Sequence, residues 1–372
     1  MPEYFTIEKS VYGGYGLAFS KNHAFFVRNT LPGEVISLKP YVKKEHISFC
    51  TVDKIFTPSA NRIKPQCESY PECGGCSYLE TDYENEIHLK LSIIEDSLIR
   101  IAKCNDYPSI DIASAERFNY RSIANIQLSN GTPGFFGHKS SNLVQFPATG
   151  CLLLQKELAK SANNLHSNID GSLKMACDFE NKIIRSDSQC TVTEQCGGFI
   201  FKHHINSFFQ ANRLLREKML NIVINLFNSL DTELAIDAGC GCGFFTIPVS
   251  KKAKHITGYD IDKESIKFAR LNSKLNSSSN INFVRGDFDS IANLGESTVI
   301  ADPPRAGLSK KFVSRIISGN TPAIIYISCN PSTWARDTGI LLSHHYCFKK
   351  IVFIDMFPGT HHIEIISLLV KV

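Results

Sequence analysis

No apolar run in this 372-residue sequence approaches the roughly 20 residues that a membrane-spanning helix needs. The opening Met1–Ser10 is charged rather than apolar, so no secretory leader is expected. A cytoplasmic protein with no membrane partner is the expectation. Neither an internal repeat nor a low-complexity tract is evident. A strong excess of one charge is missing too: 40 Lys and Arg against 36 Asp and Glu leave +4, too little by itself to require a polyanionic partner. Cysteine, by contrast, is plentiful. In a reducing compartment 13 thiols point to metal binding or catalysis for some of them, and argue against a disulfide framework. A hydrophobic share of 43% and a charged share of 20% describe a soluble globular protein, and the length allows two or three domains.

The small charge excess is not spread evenly. Residues 1–64 carry nine Lys/Arg against five Asp/Glu, which accounts for all of it. That fits either phosphate-backbone binding or a solvated surface. Short strands are predicted at Tyr4–Ile7, Leu17–Phe19, Ala24–Val27, Glu34–Pro40 and His46–Phe56, punctuated by Gly13-Gly14, Gly16, Asn29 and Pro32-Gly33. With no helical period among them, residues 1–58 read as a small closed β-barrel of the oligonucleotide-binding kind. Thr57-Pro58-Ser59 is the linker.

A cysteine loop follows, Cys67-x5-Cys73-Gly74-Gly75-Cys76. Three thiols so close together look like a metal or cluster loop that needs a distant fourth ligand. Cys104, Cys151, Cys177, Cys190 and Cys196 are all candidates, and spacing alone does not choose between zinc and a 4Fe–4S cluster. Thr81 with Glu84 offers a capping box, and Ile87, Leu91, Ile94, Leu98 and Ile101 form the apolar stripe of the helix after it. Strand-like runs, turns and one helix near Leu152–Leu165 complete a central α+β unit over residues 59–205.

From 206 to 372 the pattern becomes alternating α/β. Strands are predicted at Leu234–Ile236, His255–Thr257, Ile281–Val284, Thr298–Ile300 and Ala323–Ile327. Ile351–Phe357 and His362–Val370 then pair as an antiparallel hairpin. Five parallel strands with a terminal hairpin form a Rossmann-like methyltransferase sheet. Asp237-Ala238-Gly239-Cys240-Gly241-Cys242-Gly243 closes the first strand, and Phe244 stands where a dinucleotide fingerprint needs its last glycine. The loop therefore suits S-adenosylmethionine better than NAD. Asp260, Asp287 and Asp302 end the next three strands, where they can meet the ribose, the adenine amine and the methionine end or a uracil. Cys329 ends the fifth strand before an Asn330-Pro331 turn, with Ser332 or Thr333 as the expected helix cap. There it is placed to act as a nucleophile, although a buried apolar cysteine has the same local pattern. Apolar neighbours of Glu364 argue for its burial and a raised pKa, useful in a general base.

These features together resemble the RNA uracil-5-methyltransferases. The resemblance is carried by Cys67-x5-Cys73-x2-Cys76, Phe208-Phe209-Gln210-x-Asn212, Asp237–Gly243, Asp302-Pro-Pro-Arg-Ala-Gly-Leu308, Ser328-Cys-Asn-Pro331 and Asp355-Met-Phe-Pro-Gly-Thr-x-His-x-Glu364. It spans most of the chain in the family's order, and the last two motifs are highly specific. It implies that Cys329 is the nucleophile and Glu364 the base. It suggests that Gln210, Asp260, Asp287 and Asp302 contact S-adenosylmethionine or its surroundings, and the glycine loop adds Asp237, Gly239, Gly241, Gly243 and Phe244 as expected cofactor residues. The barrel resembles the TRAM domain, whose usual role is RNA binding. A 4Fe–4S cluster on Cys67, Cys73, Cys76 and, by position, Cys151 is implied as well. Family members often have an aromatic residue at the place of Gly239 and an Asn at that of Phe244. The expected substrate is a uridine in structured RNA, with 23S rRNA favoured over tRNA, and the expected state is a monomer. Two rivals remain: a cytosine-5 methyltransferase, which uses the same thiol addition, and an RNA-binding iron–sulfur protein with a decayed catalytic centre.

Overall fold

The computed structural model describes residues 4–165, 170–188 and 190–372, so Met1–Glu3 of the expected first unit lie outside it. Its first six strands are β1 (Phe5–Thr6), β2 (Lys9–Val11), β3 (Tyr15–Ser20), β4 (His23–Arg28), β5 (Val35–Lys43) and β6 (Ile47–Thr57). They pair in the order β1-β5-β6-β4-β3-β2, all antiparallel except β4 with β6. The two edges, β1 and β2, are consecutive in the chain. Ile7 N donates to Glu34 O (2.9 Å) on one side and Glu8 N to Leu17 O (2.8 Å) on the other, which closes the sheet into the expected barrel. Phe5, Ile7, Ala18, Val27, Ile36 and Cys50 fill it.

Helix α1 (Tyr83–Ser97) is capped by Asp82, whose carboxylate accepts from Asn85 N (2.7 Å). The predicted cap, Thr81, instead donates to Asn61 O (3.0 Å). The helix widens into a π-turn at Leu98–Ala102, and that extra residue rotates the apolar stripe. Leu98 and Ala102 are buried while Ile101 stays exposed. Next come β7 (Ile110–Ala113), β8 (Ile123–Ser129), β9 (Thr132–Phe136), β10 (Leu143–Gln145), α2 (Lys156–Asn163), β11 (Gly171–Cys177) and β12 (Ile183–Arg185). Five of these strands form an antiparallel sheet, β10-β9-β8-β11-β12, with α2 packed on it. A hairpin of β13 (Thr191–Cys196) and β14 (Phe199–His204) follows.

The last part is α3 (Arg216–Asn228), β15 (Leu234–Ala238), α4 (Thr246–Val249), β16 (His255–Asp260), α5 (Lys263–Leu275), β17 (Ile281–Arg285), β18 (Thr298–Ala301), α6 (Lys310–Ser318), β19 (Ala323–Ser328), α7 (Pro331–Leu342), β20 (Tyr346–Ile354) and β21 (Glu364–Lys371). Its sheet runs β17-β16-β15-β18-β19-β21-β20-β7. The first five strands are parallel, and β21 enters antiparallel between β19 and β20. This is the class I methyltransferase arrangement anticipated from the sequence. Buried strands present alternate residues to the two faces. On β19, Ala323, Ile325 and Ile327 join Met219, Phe227 and Ile247 on one side, while Ile324 and Tyr326 join Phe312, Trp334 and Leu341 on the other.

Two elements from the middle of the chain also belong to this sheet. Strand β7 pairs parallel to β20 as its outer edge, and Ile93, Ile94 and Leu98 pack on one face. Residues 83–113 thus pack with the catalytic sheet, although composition placed them in the central unit. Among the described residues no helix is long and apolar enough to cross a membrane.

Candidate active site

Every parallel strand of the large sheet ends on the same side, where its last residues leave the ladder and expose backbone and side chains to a ligand. The carboxyl ends of β15 to β19 deliver Gly239 and Gly241, Asp260, Asp287, Asp302 and Cys329 to one cleft of ≈ 790 Å³. Gln210 reaches it from the segment before α3, and Glu364 from the start of β21. Eight of the eleven residues expected around the cofactor and the reaction therefore meet.

Three do not line the cleft: Asp237, Gly243 and Phe244. Asp237 is fully buried and accepts from Thr246 Oγ1 (2.5 Å), so it braces the glycine loop from behind. Phe244 packs among Phe201, Phe209 and Phe245, with ring centroids 5.5, 5.4 and 5.0 Å away. Its side chain belongs to the core rather than to a cofactor. At Gly239 the backbone has φ +88°, and an added Cβ would lie 2.5 Å from Asp302 O. An aromatic residue does not fit this backbone.

Asp260 holds the loop in place. One carboxylate oxygen accepts from Gly241 N and the other from Asp262 N, both at 2.8 Å. The cleft also contains residues to which sequence reasoning assigned no role. Phe208 and Ile261 are each 68% exposed and, with Phe288, give it apolar walls. Large apolar groups left so open beside acids suit a flat ring with polar edges. Arg305, from the Asp-Pro-Pro-Arg motif, lines the cleft and contacts His362 Nδ1 through its Nη2 (2.8 Å). Phe208 and Arg305 stood in quoted motifs, whereas Ile261 carried no signal beyond following Asp260.

Cys329 and Glu364 are brought together by register. Strands β19 and β21 pair Ser328 with Ile365, and one further step sets Cys329 against Glu364. Opposite residues on neighbouring strands hold their Cβ atoms about 5 Å apart. Asn330 caps α7, its side chain accepting from Ser332 N (3.1 Å), with Pro331 as the first helical residue. The cap is thus neither Ser332 nor Thr333. Asn330 Nδ2 also donates to Arg305 O (3.1 Å), which ties the turn after Cys329 to the Asp-Pro-Pro-Arg turn.

Burial sets the resting protonation of these groups. It pushes the Cys329 thiol up to about 11, with the Glu364 and Asp302 carboxylates adding to the rise and Arg305 opposing it. Glu364 is raised well above the usual carboxylate range, first by burial and then by Asp302, again against Arg305. Asp302 rises to about 7 by burial and the nearby Asp237 and Asp260. Asp302 and Glu364 therefore both favour their protonated forms more than exposed carboxyls do.

A second cavity, ≈ 240 Å³, lies elsewhere in the molecule and is lined by Cys67, Cys73, Cys76 and Cys151 together with Leu79, Phe135, Phe136 and Phe146. Of the five candidate fourth thiols, Cys151 is the one that shares it. Cys177 and Cys196 are buried in other cores. Burial raises the Cys76 and Cys151 thiols, Cys151 to about 11, and their neighbours in the group raise them further. Among the described residues no three His, Cys, Asp or Glu side chains gather tightly enough to hold a single metal ion.

The profile of the family described as tRNA (uracil-5-)-methyltransferase matches residues 154–294 and 287–372, more than half of the chain. A relative from Aquifex aeolicus, named "Uncharacterized RNA methyltransferase", is 31% identical over 98% of this chain and 97% of its own. The chain belongs to the RNA uracil-5-methyltransferase family. A Legionella pneumophila member, named 23S rRNA (uracil(1939)-C(5))-methyltransferase RlmD, is 27% identical over 96% of this chain and 95% of its own. In fold, the chain is similar to the Pyrococcus abyssi tRNA (uracil-54, C5)-methyltransferase, solved with S-adenosyl-L-homocysteine, at a TM-score of 0.75 and 22% identity. That likeness covers 98% of this chain and 99% of the other. Membership makes the protein an enzyme that methylates RNA from S-adenosylmethionine.

Proposed function

We propose that this enzyme methylates carbon 5 of a uridine in 23S rRNA through a covalent Cys329–uracil adduct. One observation carries the reading: a thiol and a buried carboxylate, Cys329 and Glu364, stand just past the last pair of the β19–β21 ladder, line the same cleft and are near enough for the carboxylate to raise the thiol. Carbon 5 of uracil is a poor nucleophile by itself. The Cys329 thiolate adds to carbon 6, and the displaced electron pair moves to the carbonyl oxygen as an enolate, which makes carbon 5 nucleophilic. Carbon 5 takes the methyl group of S-adenosylmethionine, whose sulfonium would give up its methyl–sulfur bond and leave as neutral S-adenosylhomocysteine. Glu364 then takes the carbon 5 proton, the double bond to carbon 6 re-forms, and the thiolate leaves.

The resting state must be adjusted for this. Arg305 is the cleft residue that favours ionised Cys329 and Glu364, and a positive sulfonium beside Asp302 acts in the same direction. Gln210, Gly239, Gly241, Asp260, Asp287 and Asp302 form the cofactor side, with Asp260 and Asp287 as acceptors for ribose and adenine. Asp237, Gly243 and Phe244 support that loop from inside. The uracil reaches the cleft flipped out of its stack, which costs least in an RNA loop.

The four thiols around one cavity fit a polynuclear group with sulfur ligands. We assign them to a 4Fe–4S cluster on Cys67, Cys73, Cys76 and Cys151. When bound, it supplies a cross-link between the cysteine loop and residue 151. We divide the chain into a TRAM-like RNA-binding barrel at 1–58, a cluster-bearing unit at 59–205 whose residues 83–113 are lent to the large sheet, and a catalytic unit at 206–372, acting as a cytoplasmic monomer. The 23S preference rests on the barrel and cysteine loop and on the full-length RlmD relative.

Mapping 5-methyluridine in RNA from cells lacking the protein tests the reading. Loss of one 23S position supports it, loss of a tRNA position moves the substrate, and loss of 5-methylcytosine overturns the base assignment.

A further inference from the structure

We propose that the N-terminal barrel contributes a positioning residue to the catalytic centre: Tyr12 holds the backbone of the nucleophile's turn. The inference rests on the reading of Cys329 as the nucleophile. Strand β19 ends at Ser328, so the carbonyl of Cys329 is the first beyond the ladder and needs a partner in its half-buried place. Tyr12 Oη donates to it at 2.9 Å, across 317 residues of sequence.

The donor is held in place by the hairpin that carries it. Val11 pairs with Tyr15, leaving Tyr12-Gly13-Gly14 as a three-residue tip. Both glycines have positive φ, +101° and +75°, which turns the chain sharply enough to point the tip outward from the barrel. The tip is wedged between two other segments. A Cβ on Gly14 would fall 2.6 Å from Ser77 Cβ and 3.2 Å from His361 Cβ. Ser77 follows the last thiol of the cysteine loop, and His361 precedes Glu364 by three residues. The Tyr12 ring meets the His361 ring edge-on at 6.1 Å.

One hairpin tip of the barrel thus touches the cysteine loop, the segment bearing the base and the backbone of the nucleophile. Tyr12 itself does not line the cleft. It acts through Cys329, not on the uracil. Burial first, and the nearby Cys329 and Glu364, raise its hydroxyl to about 12 against the pull of Arg305. It therefore stays a neutral donor at working pH. Fixing this carbonyl fixes the turn from which the Cys329 side chain leaves.

The test uses full-length enzyme with a 23S fragment, comparing wild type, Tyr12→Phe, Tyr12→Leu and Cys329→Ala. Tyr12→Phe keeps the ring and removes the hydrogen bond. It should lower kcat and the single-turnover rate of covalent adduct formation about tenfold, as loss of one oriented hydrogen bond does, with KM for RNA and Tm near wild type. Tyr12→Leu should show the same kcat loss. A wild-type kcat in Tyr12→Phe overturns the proposal, as does a loss confined to KM, which would make Tyr12 an RNA contact. A loss in Tyr12→Leu alone assigns the effect to ring packing and overturns it too. Adduct formation by Cys329→Ala, in contrast, removes the nucleophile reading on which the proposal stands.

Discussion

The large cleft and the cysteine cavity both gather acidic side chains, and burial raises Asp302 and Glu364 in the one and Cys73, Cys76 and Cys151 in the other. The cleft is large and lined by several carboxylates and apolar side chains, with Cys329 the one thiol in its lining. The cavity is less than a third of its volume, is walled by aromatic and aliphatic side chains, and holds four thiols. Crowded and buried, each set is unfavourable as an array of anions. Each is relieved by positive charge, but of different kinds: a sulfonium suits carboxylates at hydrogen-bonding range, and soft metal suits thiolates. The comparison separates two groups among five of the 13 cysteines. Cys329 stands near Arg305 in the carboxylate cleft, where we propose that it acts as the nucleophile. Cys67, Cys73, Cys76 and Cys151 line one cavity, where we propose that they hold the cluster.

The strongest way to break this division is to exchange the roles of its cysteines. Cys329→Ala should lower methyl transfer by at least about 10³-fold, the scale of removing a nucleophile, while iron content and absorbance near 400 nm are kept. Measurable turnover with 5-methyluridine as product would end the division. Glu364→Gln should slow turnover about 10²- to 10⁴-fold, as loss of a general base does. Its adduct with RNA should still form and should persist, because the carbon 5 proton has no acceptor. A gel under denaturing conditions checks this. Cys151→Ser should deplete iron and acid-labile sulfide and bleach the absorbance near about 400 nm, a readout independent of activity. If metal content is unchanged, the fourth ligand lies elsewhere.

Titration sharpens the comparison further. Asp302 has its carboxyl raised to about 7, so it loses its negative charge as pH falls through that value. Glu364, raised in the same direction, adds to the effect. S-adenosylmethionine should therefore bind more weakly below about pH 7, by up to roughly tenfold per unit for one linked proton. S-adenosylhomocysteine, with a neutral sulfur, should show a flatter profile in the same calorimetric titration. The smallest effect is expected at Asp287, which is exposed: Asp287→Asn keeps an acceptor and should change cofactor affinity only about threefold.

The barrel, the parallel order of the main sheet and the strand-end acids were legible in the sequence, because each rests on local periodicity or turn residues. Asp260, Asp287 and Asp302 could be placed by counting along strands. Phe244 was misleading, since a position next to a glycine loop does not reveal which way a side chain points. Its ring packs onto Phe201 and Phe209, far away in sequence. The Cys329–Glu364 pairing depends on β21 inserting antiparallel beside β19, and no local pattern reports the register of strands separated by a whole helix and a strand. Cys151 was reached by resemblance, while spacing alone left five candidates. Strand β7 was missed because an edge strand of four residues, Ile110–Ala113, has too little alternation to stand out. The contact of Tyr12 with Cys329 was invisible for the same reason as the register: it joins the two ends of the chain.

Covalent capture tests the central claim most directly. RNA containing 5-fluorouridine, incubated with the enzyme and S-adenosylmethionine, presents a carbon 5 from which no proton can be removed. The reaction should stop with the nucleotide bonded to the protein, and mass spectrometry of its peptides should place the nucleotide on Cys329. No adduct, or an adduct on a different cysteine, contradicts the account.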